Sequence, residues 1–308
     1  MKTLYHQEGF KMRIGFIGLG IMGKPMSLNL VKSGLDVTVF DINESAVEEL
    51  AGLGARGAQS PKEVGEKSDI IFTMLPKGEH VASVVLGESG VIYGANNGAI
   101  VVDMSSISPV QSKEIAEALA ARGMEMLDAP VSGGEPKAID GTLSIMVGGK
   151  GDVYEKVKPY FDVMGQDITL VGDNGCGTTA KLANQILVNV HIAAMSEALT
   201  LASKAGIDIK KMYEAIRGGL AGSAVLDAKV PLILERNFAA GGRIDINAKD
   251  LTNVMDTAHS IGVPLPLSSQ VLEMYHSLMA DGKAADDHGG LIQFYEKLAN
   301  YEVKGVSQ

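Results

Sequence analysis

The feature that most constrains this chain is a regular alternation of short apolar runs and amphipathic stretches, which extends over residues 13–172 and then stops. The runs are β-branched and almost continuously apolar, as strands buried on both faces of a sheet should be. Between them, Ser60-Pro61 and Ser108-Pro109 are typical helix starts, each with a capping serine before a proline. This order predicts an α/β domain with a doubly wound parallel sheet. Seven strands are predicted, over 13–18, 36–41, 69–75, 99–104, 125–130, 143–148 and 168–172.

Beyond residue 172 the strand signal disappears, and the composition indicates an all-helical C-terminal domain. One long helix is predicted from 178 to about 205, and because it is apolar on most faces it should be buried. With 308 residues the chain exceeds the usual size of a single core. We expect the α/β domain to span residues 12–174 and the helical domain to span residues 175–308. Residues 1–11 are expected to be an extension with no role in the fold. Five further helices are predicted, over 208–217, 222–235, 247–261, 266–281 and 287–300.

Composition excludes several classes of function. A net charge of −10 argues against a nucleic-acid partner, which would require a surplus of Lys and Arg. No uninterrupted apolar run approaches the ~18 residues of a membrane span, and the polar N-terminus lacks the core of a secretion signal. The single cysteine, Cys176, cannot form an internal disulfide, so a cytoplasmic location is expected. No cluster has metal-ligand spacing, and we expect no metal.

Gly18-Leu19-Gly20-Ile21-Met22-Gly23 matches the G-x-G-x-x-G pattern, which is informative here because it follows a predicted strand and opens a predicted helix. Gly18 permits a tight turn, Gly20 permits close approach of a pyrophosphate, and Gly23 permits close packing of the helix on the sheet. The helix N-terminus supplies N–H donors and a positive dipole. This context predicts a Rossmann-type dinucleotide site.

The second predicted strand ends in Asp41, eighteen residues after Gly23. A carboxylate at this position accepts hydrogen bonds from the ribose and repels a 2′-phosphate, and no Arg stands beside it, which favours NAD(H) over NADP(H). Capping of the next helix is an alternative and compatible role. Leu75-Pro76 and Ser106 also follow strands, where ligands of open α/β sheets bind, although Ser105 or Ser106 is equally suited to cap the next helix.

Two further segments carry chemistry. The turn at Ser132-Gly133-Gly134 can form an anion nest for a substrate carboxylate, or it can be only a turn. Lys181 and Asn184 are three residues apart and therefore share a helix face. A partly buried Lys can polarise a carbonyl and deliver a proton, whereas a Lys near a helix end can also reach solvent. Lys249 offers a second cation, for the cofactor or in an exposed pair with Asp250.

Four segments of the sequence together resemble the β-hydroxyacid dehydrogenase family, and the resemblance runs in order from about residue 13 to 300. The branch that reduces tartronate semialdehyde is most similar, through 216–229, the EPKAIDGTLS run and the DHGGLIQFYEKLA ending. The resemblance implies NADH-dependent reduction of tartronate semialdehyde to D-glycerate, in an interdomain cleft of a homodimer or homotetramer. The four segments are 15–30, 128–149, 177–185 and 249–251.

By this resemblance Lys181 is the acid/base, with Asn184 beside it, and Ser132, Gly133 and Gly134 bind the substrate. Alternative readings are a 3-hydroxyisobutyrate dehydrogenase or a reductase of glyoxylate or succinic semialdehyde. A non-catalytic NAD-binding sensor is an alternative of a different functional class. A sensor would need only the cofactor site, whereas this sequence also contains Lys181, Asn184 and the Ser132-Gly133-Gly134 turn. The expected cofactor-binding residues are Gly18, Leu19, Gly20, Ile21, Met22, Gly23, Asp41, Leu75, Pro76, Ser106 and Lys249.

Overall fold

A computed structural model describes residues 12–239 and 241–303 of the chain. It consists of two compact units, of which the first ends at Lys181 and the second begins at Leu182. This division lies inside a helix, whereas the predicted boundary between residues 174 and 175 lies just before that helix starts. The predicted extension over 1–11 lies outside the described residues.

Over residues 12–181, the described part of the first unit, the chain forms a nine-stranded sheet with helices along the connections, which confirms the predicted α/β fold class. All seven predicted strands are present, and β3 and β7 are additional strands of two residues each, too short for a periodic signal. The strands are β1 (Ile14–Ile17), β2 (Val37–Phe40), β3 (Arg56–Gly57), β4 (Ile70–Thr73), β5 (Ile100–Asp103), β6 (Glu125–Asp128), β7 (Val131–Ser132), β8 (Leu143–Gly148) and β9 (Gly165–Gly172). The helices are α1 (Gly23–Lys32), α2 (Glu44–Gly52), α3 (Pro61–Lys67), α4 (Gly78–Leu86), α5 (Pro109–Ala120), α6 (Gly134–Asp140) and α7 (Gly151–Met164).

The strands follow the order β3-β2-β1-β4-β5-β6 with every neighbouring pair parallel, which is the Rossmann order. Beyond β6 the direction changes, because β7 and β8 form an antiparallel return in which Val131 pairs with Ile145. β8 is therefore antiparallel to β6, and β9 is again parallel to β8. The sequence did not predict this reversal.

Alternate residues of each central strand belong to two different hydrophobic clusters. In β1, Ile14 and Phe16 pack in one cluster and Ile17 in the other, and all three are essentially inaccessible to solvent. Ile70 and Ile71 of β4 divide in the same way. Because side chains alternate across a strand, the sheet is buried on both faces, as the continuous apolar runs predicted.

The second unit is helical and has a hydrophobic cluster of its own. The predicted helices are present with shifted ends: α11 begins at Ile244, three residues earlier than expected, and a short 3₁₀ turn over His288–Leu291 precedes α13. The helices are α8 (Cys176–Lys204, shared with the first unit), α9 (Ile209–Ile216), α10 (Ala224–Leu234), α11 (Ile244–Ser260), α12 (Pro266–Ala280) and α13 (Ile292–Ala299).

In the described part of the chain, one helix, α8, is long and apolar enough to cross a membrane by length and composition alone. Half of its most apolar window is buried inside the protein. The core helix of a globular unit has the same length and composition, and α8 contributes Ile192 and Leu199 to the core of the second unit. These properties therefore do not assign α8 to a membrane.

A hydrogen-bond network joins the carboxyl ends of β4 and β5. Asp103 Oδ1 accepts from Thr73 Oγ1 at 2.8 Å and from the Ser105 N–H at 3.1 Å. Ser105 Oγ in turn accepts from the Leu75 N–H at 2.9 Å. The second carboxyl oxygen of Asp103 makes no hydrogen bond to any described residue, and burial raises the pKa of Asp103 to about 6. The loops that follow β4 and β5 are thus held together by the Asp103 carboxyl group. Burial favours the neutral form of this group.

We expect Asp103→Asn to change the pH dependence of stability. The folded protein binds the Asp103 proton more tightly than the unfolded chain does, so this group stabilises the fold at low pH, and the contribution is lost as the pH rises through about 6. Between pH 5 and 7.5 the free energy of unfolding of the wild type should fall by about 1 kcal/mol through this group. Asn keeps the acceptor oxygen without the titration, so urea unfolding of this variant should show a weaker decline. Asp167→Asn, at an exposed site on β9, is the matched control. An unchanged pH slope in Asp103→Asn would contradict the assignment.

Candidate functional site

The glycine turn between β1 and α1 has the geometry that the G-x-G-x-x-G pattern predicted. Gly18 has a φ of 97°, and a Cβ there would overlap the carbonyl oxygen of Met74. A Cβ on Gly23 would overlap the carbonyl oxygen of Gly18, so the helix packs directly on the turn. Gly20 is exposed and has open space where a side chain would stand.

This turn fits a dinucleotide. The N-cap residue of α1 is Met22, which provides no side-chain hydrogen bond to the helix start. In the first turn of α1, Lys24 and Met26 donate their N–H groups to the carbonyl oxygens of Gly20 and Met22, and Pro25 has no N–H. The Gly23 N–H remains for a ligand, and the exposed Gly20 leaves room for an anion such as a pyrophosphate to approach it.

Asp41 joins the glycine turn to the end of β2. Its Oδ2 accepts from the Leu19 N–H at 2.6 Å, and its Oδ1 accepts from the Asn43 N–H at 2.8 Å. The N-cap of α2 is Asn43, whose side chain accepts from the Ser45 N–H, so the alternative that Asp41 is merely the cap of this helix is wrong. Each carboxylate oxygen accepts only one of these bonds and retains capacity for a ribose hydroxyl.

Leu75 and Pro76 lie two and three residues after the end of β4, and Ser106 lies three residues after the end of β5. Pro76 is exposed and Ser106 is half-buried. Neither Ser105 nor Ser106 caps α5, because that role belongs to Ser108, whose hydroxyl accepts from the Gln111 N–H. Cofactor contacts of Leu75, Pro76 and Ser106 remain predictions.

The Ser132-Gly133-Gly134 turn lies where β7 ends and α6 begins. Gly133 has a φ of 136° and Gly134 a φ of 70°, conformations that L side chains rarely adopt. A Cβ on Gly133 would also collide with the side chain of Lys137. The turn therefore requires its glycines, and its use as an anion nest remains a prediction.

Asp128, at the end of β6, fixes the start of α8. Its Oδ1 accepts from the Gly175 N–H at 2.8 Å, and its Oδ2 accepts from the Thr178 N–H at 2.8 Å and from Thr178 Oγ1 at 3.2 Å. Burial raises the pKa of Asp128, and these hydrogen bonds oppose that rise. Gly177 has no room for a Cβ, which would overlap the carbonyl oxygens of Asp128 and Met146. The first turn of α8 is thus packed against the sheet.

Lys181 follows this first turn and is only 8% exposed, so the alternative of a lysine extending into solvent is wrong. Asn184 is three residues further along the same helix and partly exposed. The two residues lie about one helical turn apart on α8, and their use in one substrate site remains a prediction.

Lys249 lies on α11, and the alternative of an exposed pair with Asp250 is also wrong. The Lys249 side chain is 24% exposed and that of Asp250 is 7% exposed, with Nζ and Oδ1 3.0 Å apart. Asp250 Oδ2 accepts from Gln185 Nε2 at 2.6 Å. Whether Lys249 contacts the cofactor remains a prediction.

The sequence patterns predict no role for Asp128 or Gln185, only helix capping for Ser105, and only an exposed pair with Lys249 for Asp250. The sequence did carry a signal for them. Asp128 and Ser105 lie at or just after the end of an apolar strand, and Gln185 and Asp250 each stand next to a predicted site residue on a helix. Within the described residues, no group of three or more His, Cys, Asp or Glu is placed to hold a metal ion.

Comparison with known proteins covers both units. Residues 13–172 match the model for the NAD-binding domain of 6-phosphogluconate dehydrogenase, and residues 175–295 match the NAD-binding domain of NADP-dependent 3-hydroxyisobutyrate dehydrogenase. The chain is 44% identical to 2-hydroxy-3-oxopropionate reductase of Escherichia coli K12, over 95% of this chain and 100% of that protein. It is 38% identical to 2-(hydroxymethyl)glutarate dehydrogenase of Eubacterium barkeri, over 96% and 98% of the two chains.

A solved structure of 3-hydroxyisobutyrate dehydrogenase from Mycobacterium tuberculosis, with L-serine, has a TM-score of 0.87 and 31% identity, and the match covers 93% of this chain and 99% of that one. These matches, together with the glycine turn, confirm the expected class of enzyme and cofactor. The chain belongs to the β-hydroxyacid dehydrogenase family of NAD-dependent oxidoreductases.

Proposed function

We propose that this enzyme reduces tartronate semialdehyde (2-hydroxy-3-oxopropanoate) to D-glycerate with NADH. The observation that carries the chemistry is the burial of Lys181 on a helix whose start is fixed by Asp128. The substrate is supported by the 44% identity to the 2-hydroxy-3-oxopropionate reductase over the full length of that protein. The proposal includes a cytoplasmic homodimer or homotetramer, as the family resemblance implies.

The residues proposed to hold the cofactor are the glycine turn, Asp41, Leu75-Pro76, Ser106 and Lys249. The nicotinamide, when bound, supplies the hydride to the aldehyde carbon. Asp41 is expected to accept hydrogen bonds from the ribose, and its charge disfavours a 2′-phosphate.

In this proposal the Lys181 ammonium donates a hydrogen bond to the aldehyde oxygen. Negative charge develops on that oxygen as its carbon is reduced, and a buried cation stabilises this charge more than water does. Lys181 then transfers one proton to the oxygen, so that the aldehyde becomes an alcohol and the lysine becomes neutral. Ser132 and the Gly133 and Gly134 N–H groups hold the carboxylate, and Asn184 holds a hydroxyl group of the substrate.

An NADH-oxidation assay of the purified enzyme tests the substrate. Tartronate semialdehyde should have the highest kcat/KM in a panel with glyoxylate, succinic semialdehyde and methylmalonate semialdehyde. A higher value for methylmalonate semialdehyde would reassign the enzyme as a 3-hydroxyisobutyrate dehydrogenase. NADH binding without turnover of any member would instead indicate a non-catalytic sensor.

Cofactor preference depends on Asp41. We expect NADH to exceed NADPH at least tenfold in kcat/KM, a difference of about 1.4 kcal/mol. Asp41→Asn should narrow this gap mainly by improving NADPH, because it removes the charge while retaining an acceptor for a neighbouring N–H. Glu48→Gln, an equal charge change at an exposed site on α2, should leave the ratio unchanged. Comparable values for both cofactors in the wild type would contradict the role of Asp41.

Removal of Lys181 should abolish catalysis without abolishing cofactor binding. Charge stabilisation and proton transfer each contribute roughly 10²–10⁴-fold, so Lys181→Ala should lower kcat by about three orders of magnitude or more. Lys181→Arg should restore little activity, because guanidinium retains its proton. The dissociation constant of NADH, from fluorescence titration, should change little, and Lys156→Ala on α7 is the exposed control. A Lys181→Ala enzyme with a tenth of wild-type kcat would place the acid elsewhere.

A further inference from the structure

A chain of four polar side chains connects the proposed substrate-binding amide to the proposed cofactor-binding cation within the second unit. Asn184 Nδ2 donates to Gln185 Oε1 at 3.1 Å, and Gln185 Nε2 donates to Asp250 Oδ2 at 2.6 Å. The other carboxylate oxygen of Asp250 lies 3.0 Å from Lys249 Nζ. That oxygen makes no hydrogen bond to a described residue, so its pairing with Lys249 is electrostatic.

The direction of this chain is set by its acidic member. As a carboxylate, Asp250 can only accept hydrogen bonds. Gln185 must therefore turn its NH₂ group toward Asp250, which leaves its carbonyl oxygen facing Asn184. Asn184 in turn must present its NH₂ group to Gln185. Gln185 and Asp250 are 6% and 5% exposed, so water cannot readily replace either partner.

The consequence for Asn184 is a fixed orientation. Its NH₂ group faces Gln185, so its Oδ1 is the end of the amide that points away from Gln185. Asn184 is partly exposed, so this oxygen can accept a hydrogen bond from a ligand. A carbonyl oxygen selects a donor such as a hydroxyl group, and does not bind a carboxylate.

We propose that Asp250 is a positioning residue which, through Gln185, orients Asn184 as the acceptor for the 2-hydroxyl group of the substrate. The inference rests on the proposed function and goes beyond it, because it makes the orientation of Asn184 depend on Gln185 and Asp250, which do not contact the substrate themselves. Lys181 on the aldehyde oxygen and Asn184 one helical turn away on the neighbouring hydroxyl match adjacent groups of a 2-hydroxy-3-oxo acid.

The test compares two aldehyde acids that differ only in this group, 2-hydroxy-3-oxopropanoate and 3-oxopropanoate. The measured quantity is the ratio of their kcat/KM values with NADH. Asp250→Asn should lower this ratio about tenfold, because an amide at position 250 can donate as well as accept and no longer dictates the orientation of Gln185. Asp256→Asn, at an exposed site on the same helix, should leave the ratio unchanged.

Gln185→Met is the second variant, since a buried thioether interrupts the chain and leaves the pair of Lys249 and Asp250 in place. Gln185→Met should lower the same ratio without changing the dissociation constant of NADH. It therefore tests the proposal independently if Asp250→Asn is too unstable to assay. In an Asn184→Ala background, Asp250→Asn should have no further effect on the ratio. An unchanged ratio in folded Gln185→Met, or independent effects in the double variant, would overturn the proposal.

Failure of the proposed function gives a different result. If the wild-type enzyme reduces neither aldehyde acid, the proposed substrate is wrong. In that case NADH titration still tests the other end of the chain, where Asp250→Asn should weaken binding severalfold through Lys249 and Gln185→Met should not. Equal NADH affinity in all three proteins would overturn a contribution of the Asp250–Lys249 pair to cofactor binding.

Discussion

The interaction on which the proposed site most depends is the burial of the Asp128 carboxylate against the first turn of α8. One side chain at the end of β6 receives two backbone N–H groups and a hydroxyl from residues 47 and 50 positions further along the chain. These bonds satisfy donors that a helix start would otherwise leave without partners. These bonds fix the start of α8 relative to the sheet. The position of Lys181, one turn further along the helix, is fixed relative to the sheet in the same way.

The same device recurs along the carboxyl edge of the sheet. Asp41 after β2, Asp103 at the end of β5 and Asp128 at the end of β6 each accept backbone N–H groups from a loop or turn nearby. Burial, and to a smaller extent the nearby Asp128, raise the pKa of the Asp103 carboxyl, and its hydrogen bonds to Ser105 and Thr73 oppose that rise. Loops at this edge of the sheet are thereby joined by hydrogen bonds to carboxyl groups at or near the strand ends.

The sequence predicted what local patterns encode. The apolar periodicity gave the α/β and helical units, and glycine spacing gave the turn in which Gly23 packs on Gly18. For Lys181 and Lys249 the sequence left two readings open, because burial depends on packing that no local pattern describes. The bond between Gln185 and Asp250 joins residues 65 positions apart, and the reversal of β8 depends on pairing with β7. Such long-range contacts become visible only in the folded chain.

The division between the two compact units falls immediately after Lys181, inside α8. The glycine turn, the strand-end aspartates and the start of α8 all belong to the first unit, whereas Gln185 and Asp250 belong to the second. Mutations in the second unit can accumulate without disturbing the hydrogen bonds that set the lysine. The residues proposed to bind the substrate lie in both units, with Ser132, Gly133 and Gly134 in the first and Asn184 in the second, and the relatives of this chain are named for different acids.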